Sequence, residues 1–181
     1  ASFFLKRFFL LLKGGIIAQS LNKCGLSVNQ VEKVIKVRYA VSDDRDFIVK
    51  ANSSMALETE NLVLDPDILK AGVSAVFEDS SRGRYIVAEF NGELCATLMV
   101  TIEWSDWRNL EIAWIQSLYV VEQERGNGIF KQMFTYLESL VAAGEYAGIR
   151  LYVDRTNSKA IEVYKKLDMN GDHYTMFEKM K

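Results

Sequence analysis

Histidine and proline each occur once in the 181 residues, and cysteine twice. One histidine, His173, argues against a histidine-based metal site and a Ser-His triad. Cys24 and Cys95 are too few and too far apart for a disulfide framework or a CxxC metal site, so the expected metal content is none. The expected compartment is a reducing one, the cytoplasm. Charge of one sign is also lacking: the net charge is −2, so no global positive field draws nucleic acid to the chain. What remains is ordinary for a globular protein, 49% hydrophobic and 25% charged residues, with length enough for one domain around a real core.

Residues 3–19, "FFLKRFFLLLKGGIIAQ", are apolar but broken by Lys6, Arg7 and Lys13. The run is too short and too charged to span a bilayer. A signal peptide, an interfacial helix that brings residues 1–16 to a membrane, and a helix laid on the domain or on a partner subunit all fit it. The last is the plainest, and residues 1–33 are read as an apolar, partly helical extension preceding a domain over residues 34–181.

From residue 34 the periodicity sharpens. "VIKVRYAV" reads as a strand. Ser42 is then placed to cap a helix through "DDRDFIVKANSSMAL", with acids in its first turn. Asp65 before Pro66 is the order expected at the next helix start. "RYIVAEF" and "ELCATLMVTIEW" flank Asn91-Gly92, a pair that tolerates the positive φ values of a tight hairpin. "AWIQSLYVV" is a strand, and Ile129, Phe130, Met133, Phe134, Leu137, Leu140 and Val141 make the apolar side of a helix. "GIRLYVD" is a strand, Asn157 or Thr156 caps the helix "SKAIEVYKKL", and "HYTMFEKM" is a last strand with His173 at the sheet edge. The order β-α-α-β-β-β-α-β-α-β, with a parallel βαβ unit after an antiparallel hairpin, predicts an α/β (α+β) domain: a mixed sheet with helices on both faces.

The stretch "QERGNGIF" puts Gly126 and Gly128 where a strand leads into a helix. Glycine costs a helix about 1 kcal/mol relative to alanine. A tight strand–helix turn would explain the pair. So would a phosphate cradle, because glycines let an anion approach the unpaired N–H groups and positive end of a helix, with Arg125 adding charge. The Lys-Ser/Thr of a P-loop is absent, which argues against nucleotide hydrolysis. The three-glycine dinucleotide fingerprint is absent too.

Gln123, Gly126 and Gly128 fill the pattern [Q/R]-x-x-G-x-[G/A], which resembles motif A of the GNAT superfamily of acyl-CoA-dependent N-acyltransferases. "SLYV" resembles the strand that carries the cofactor arm. Asn157, Ala160 and Tyr164 in "NSKAIEVYKKLDM" resemble the motif that follows. Asp168 stands where that family commonly has glycine, and Met169 where it has an aromatic. The resemblance covers residues 34 to 180 and implies a splayed sheet that takes acetyl-CoA between two parallel strands. It implies main-chain contacts from Leu118 and Val120, with Tyr119 between them, to the pantetheine arm. Gln123, Arg125, Gly126, Asn127, Gly128, Ile129 and Phe130 would face the pyrophosphate, and Asn157 would also contact the cofactor.

The same resemblance implies transfer of an acetyl group to a primary amine of a small molecule or peptide. Tyr164 would be the acid for the leaving thiolate, since a tyrosine of pKa about 10 can protonate one without a metal. Glu58, Glu60, Glu103 and Asp106 are the candidates for the base, Glu58 and Glu103 first among them. Glu60, Trp104, Asp106 and Trp107 are candidates to line the acceptor pocket. The loop "EWSDWRN" suits either that role, with aromatic faces and a carboxylate for a cationic amine, or a contact between two copies in a homodimer. The competing reading is a non-catalytic module that binds acyl-CoA as a sensor or interaction partner.

Overall fold

A computed structural model describes residues 34–179. The expectation of a helical extension over residues 1–33 lies outside them. Five strands form one sheet in the order β1-β2-β3-β4-β5. They are β1 (Ile35–Tyr39), β2 (Arg84–Phe90), β3 (Glu93–Ser105), β4 (Leu110–Val120) and β5 (Ile149–Arg150). The first four are antiparallel to their neighbours, and β5 runs parallel to β4. Helices α1 (Arg45–Glu60) and α2 (Pro66–Glu78) follow β1, α3 (Ile129–Ala142) connects β4 to β5, and α4 (Ser158–Lys165) follows β5. Asn91 and Gly92 take φ values of +53° and +89° at the β2–β3 turn, as that dipeptide predicts.

Strand alternation sorts the side chains into two cores. One face sends Ile86, Leu98, Val100, Ala113 and Ile115 against Ile129, Met133, Phe134 and Leu137 of α3. The other sends Tyr85 and Val87 against Ile48 of α1 and Val73 of α2. Cys95 belongs to the first core; its thiol donates to Ala88 O at 3.3 Å, and burial pushes its pKa up to about 11. A thiol held protonated in this way is no nucleophile.

Three local expectations change. Ser42 makes no side-chain cap. The chain turns through a 3-10 segment at Ser42–Asp44, and the buried Asp44 carboxylate accepts from Val41 N at 2.7 Å. Strand β5 has two residues where seven were expected, because β4 leaves it after the second pair. No strand forms over the described part of "HYTMFEKM", residues 173–179. A strand persists by pairing, and residues 171–179 pair with none of the described strands; Tyr174 and Phe177 are 87% and 93% exposed. His173 therefore lies in an irregular exposed stretch and not on the sheet edge.

Asp44 is the charged anchor of the β1–α1 corner. Arg38 donates to both its carboxylate oxygens, at 2.7 and 3.0 Å, and to Glu89 at 2.8 Å. These bonds hold the Asp44 pKa below the ordinary carboxylate range, the Arg38 hydrogen bond being the largest cause. A depressed folded pKa adds stability above the unfolded pKa and loses it as the pH falls through the folded one. Two outcomes are expected in urea denaturation. Arg38→Ala should destabilise the domain by about 2–3 kcal/mol at neutral pH, since it strands a buried carboxylate. Asp44→Asn should flatten the fall of stability below about pH 4 that the parent shows.

Candidate active site

The parallel β4–β5 ladder consists of two pairs, Ala113 with Ile149 and Trp114 with Arg150. Strand β4 runs on to Val120 without β5 beside it. The separation coincides with a bulge. Met99 pairs with Gln116, but Thr97 pairs with Tyr119, so β4 carries an extra residue there. Ser117 absorbs it at φ +48°, a left-handed value uncommon outside glycine. No residue pattern in "WIQSLYV" announces this. The result is a wedge-shaped opening, with one wall formed by a main-chain edge that has no strand partner.

The glycine loop stands at the open end of that wedge. A 3-10 turn over Glu122–Glu124 leads to Gly126 at φ +84° and Gly128 at φ +79°, and Gly128 caps α3. A Cβ at either glycine would meet no atom within 4 Å. The glycines are thus needed for their backbone angles, and the space before them is open. Gln132 N is bonded to Gly128 O, the first bond of the helical ladder. Among the described residues no acceptor is bonded to the N–H groups of Gly126, Gly128, Ile129 or Phe130. Such a cluster at a helix start is a site for an anion. Asn127 is held through its side-chain amide to Glu124, at 3.0 Å to the carboxylate, and Gln123 lies within the 3-10 turn.

Arg125, expected to bring charge to this loop, turns back toward the sheet. Its guanidinium donates to Val120 O at 2.9 Å and to Glu58 at 2.6 Å, and lies 5.4 Å from the Tyr119 ring centre. Tyr119 OH donates to the other oxygen of Glu58 at 2.8 Å. The two bonds, Arg125 first, lower the Glu58 pKa. Burial and the Glu58 carboxylate raise that of Tyr119. The Leu118 and Val120 side chains pack on the α3 core, so only their main chain faces away from it, and there Val120 O is already taken by Arg125. The Glu58–Tyr119–Arg125 cluster joins α1, β4 and the loop, and it was not foreseen: its members lie 61 and 67 positions apart in the chain.

Glu103 lies at the closed end of the wedge. It accepts from Trp114 Nε1 at 2.6 Å and from Arg150 at 2.7 Å, which lowers its pKa, the indole bond being the largest cause. Between the two carboxylates Gln116 donates to Thr101 Oγ1 at 2.8 Å. Thr97, Met99, Thr101 and Glu103 alternate onto the α1–α2 side of the sheet, so this polar row faces that side.

Tyr164 is half-buried on α4, edge-on to Phe130 with ring centres 5.8 Å apart, and burial raises its pKa. Asn157 caps α4 by accepting from Ala160 N at 3.0 Å, so its carbonyl oxygen is engaged in the fold. Asp168 takes φ +58° just after α4 and so supplies the left-handed turn where the related family has glycine. Glu60 closes α1 and is exposed, two residues beyond Glu58.

The tryptophan loop lies at the other end of β4. That strand has 11 residues, so its ends are roughly 30 Å apart. Trp104 and Trp107 are exposed, Trp107 at 90%, and Asp106 accepts from Trp107 N. The structure does not bring Trp104, Asp106 and Trp107 to the glycine end. The alternative expectation for the loop, a contact between copies, would use these same exposed rings. Among the described residues no helix is long and apolar enough to cross a membrane.

The comparisons with known proteins agree with this geometry. The family model described as "Acetyltransferase (GNAT) family" matches residues 54–169. A possible acetyltransferase from Clostridium difficile 630 shares 40% identity, with 82% of this chain and 98% of that one covered and a TM-score of 0.76. Two more distant structures share the fold. A ribosomal-protein-alanine N-acetyltransferase from Brucella melitensis biovar Abortus 2308 has 14% identity, 82% and 100% coverage and a TM-score of 0.68. A predicted acetyltransferase with acetyl-CoA from Clostridium acetobutylicum has 18% identity, 80% and 96% coverage and a TM-score of 0.61. A search of curated proteins gives no match. With the family pattern spanning most of the sheet, the wedge and both motif helices, the chain belongs to the GNAT family of acyl-CoA-dependent N-acetyltransferases.

Proposed function

We propose that this enzyme carries an acetyl group from acetyl-CoA to a primary amine of a small molecule or peptide, by direct attack with both bound at once. The observation that carries the reading is the unpaired β4 edge ending in a loop of free N–H groups at a helix start. These residues fit a pantetheine-diphosphate. The amides of Gly126, Gly128, Ile129 and Phe130 would hold the diphosphate. The main chain of Leu118 to Val120 would line the arm in the manner of an added strand. Gln123, Arg125, Asn127 and Asn157 complete the proposed surround, with Arg125 acting from its place between Val120 O and Glu58. When bound, the cofactor supplies an activated acyl thioester.

The chain's own groups then divide the remaining work. Glu58 stays ionised at neutral pH because Arg125 and Tyr119 hydrogen-bond its charged form. It therefore serves as counter-ion for an incoming ammonium and as the final acceptor of its proton at Oε. Its lowered pKa makes it a weak base, so transfer through water to bulk solvent accompanies the direct route. Glu103 is held by Trp114 and Arg150 at the closed end and shapes the amine's path from there. Tyr164, with its pKa raised by burial, keeps a proton at Oη through the neutral range and presents it to the leaving group. Glu60 stands at the entrance beside Glu58. A sensor that binds acyl-CoA without turnover would share the cradle but not the need for Tyr164.

Two variants test the reading. Gly126→Glu should reduce CoA affinity by at least 100-fold in calorimetry while the protein stays folded. A side chain there clashes with nothing, so its effect comes from a carboxylate in the cradle and from backbone strain of about 1–3 kcal/mol. Affinity unchanged in a folded Gly126→Glu protein would remove the site. Tyr164→Phe should lower kcat for thiol release by 10-fold or more with CoA affinity within about twofold of the parent. Tight CoA binding by the parent with no thiol release for any amine would favour the sensor.

A further inference from the structure

A second cavity, of about 600 Å³, opens on the α1–α2 side of the sheet. Its walls include Leu62, Leu69, Val73, Val76, Tyr85 and Met99. That volume suits a small organic molecule. Asp65 is the one ionisable carboxylate in its lining, and it is committed to the α2 cap, accepting from Asp67 N and Ile68 N. Asn52 reaches the cavity from α1. It is 6% exposed, and its side-chain oxygen has no hydrogen-bond partner. A buried, unpartnered carbonyl oxygen costs about 1–3 kcal/mol, and a donor arriving in the cavity would recover it. The floor residue Met99 pairs across the ladder with Gln116, next to the Ser117 bulge. Directly paired side chains lie about 5 Å apart, and one strand spacing is about 4.8 Å. An acceptor seated in the cavity would have to cross that one spacing, past Gln116, to reach the free edge of β4.

We infer that this cavity selects the acceptor: an amine carried on an apolar, ring-sized body with a hydrogen-bond donor at its far end, which Asn52 Oδ1 receives. The inference rests on the acetyl-transfer reading, since it names that reaction's second substrate. Polycationic amines are disfavoured, because the lining offers no free carboxylate to a second charge. Gly72 gives a clean way to block the space. It lies on α2, lines the cavity, and a Cβ there meets nothing within 4 Å. The first carbon of a side chain at Gly72 therefore has room, and Gly72→Leu is the variant expected to narrow the cavity.

The test is calorimetric titration of the 181-residue chain with tyramine, phenethylamine and spermidine, each repeated on Gly72→Leu and Asn52→Leu. Tyramine should bind the parent and bind Gly72→Leu at least 10-fold more weakly. Phenethylamine, which lacks the phenol donor, should bind the parent several-fold more weakly than tyramine, and Asn52→Leu should erase that difference. Spermidine should bind most weakly of the three. The inference is overturned if tyramine fails to bind, if Gly72→Leu leaves its affinity unchanged, or if spermidine binds as well. A cavity filled instead by an apolar peptide segment would appear as the first of these. Titrating CoA into the same samples separates the two claims: CoA binding that survives every loss of tyramine binding leaves the transfer reading standing, and absent CoA binding removes that reading whatever tyramine does.

Discussion

A parallel ladder of two residue pairs governs this molecule. In most parallel sheets the strands stay paired along their length, and both edges of each inner strand are satisfied. Here the bulge at Ser117 turns β4 away from β5 after Trp114 and Arg150. The cost is a residue in a left-handed conformation and a main-chain edge without a strand on it. The gain is an opening that places an extended edge, a helix start and two glycines along one line. If the ladder continued to Val120, the edge would be consumed and the loop would lead nowhere.

The same opening explains how the charges are arranged. Both carboxylates that face it are tied to arginines, Glu58 to Arg125 and Glu103 to Arg150, and both pKa values are lowered, by Arg125 first at Glu58 and by the Trp114 indole first at Glu103. Each also accepts from an aromatic donor, Tyr119 or Trp114. Neither is poised as a strong base; they are fixed negative charges at the two ends of a polar row. Tyr164 has the opposite bias, since burial disfavours its anion. Carboxylates that stay ionised and a phenol that stays protonated suit attraction of a cation at one side and delivery of a proton at the other.

Much of this was legible in the sequence for local reasons. Gly126 and Gly128 were readable because a positive φ before a helix narrows the choice of residue. Asn91-Gly92 and Asp65-Pro66 were readable because a turn and a cap are set by residues a few places apart. The alternation in β2 and β3 and the apolar side of α3 gave the two-faced sheet. What escaped was non-local. The bulge depends on how β3 and β4 register, and Ser117 does not mark it. The bonds from Arg125 and Tyr119 to Glu58 join residues more than sixty places apart. The last strand failed for the same reason: Tyr174, Thr175 and Phe177 favour a strand, but propensity does not supply a neighbour to pair with. The tryptophan loop was legible only as composition: aromatic faces and a carboxylate suit a pocket or a contact between copies, and its place at the far end of β4 from the glycines does not choose between them.

Phe130 shows how these parts act as one. It sits in the first turn of α3, so its main-chain N–H belongs to the loop and its ring packs on the α3 core. The ring also meets Tyr164 edge-on at 5.8 Å. Helix α4 has few other anchors: its residues are largely exposed, and it is held through Tyr164 and the residues just after it, Leu167 and Met169, which pack on the same core. The position of the phenol is therefore set by a residue whose free main-chain N–H stands at the helix start. An edge-on aromatic pair contributes about 0.5–1.5 kcal/mol beyond the area it buries, little for the fold as a whole but large for an eight-residue helix. A glycine loop that holds its shape thus holds the Tyr164 phenol in place as well, and the two motifs, separate in the chain, make a single device because one aromatic ring belongs to both.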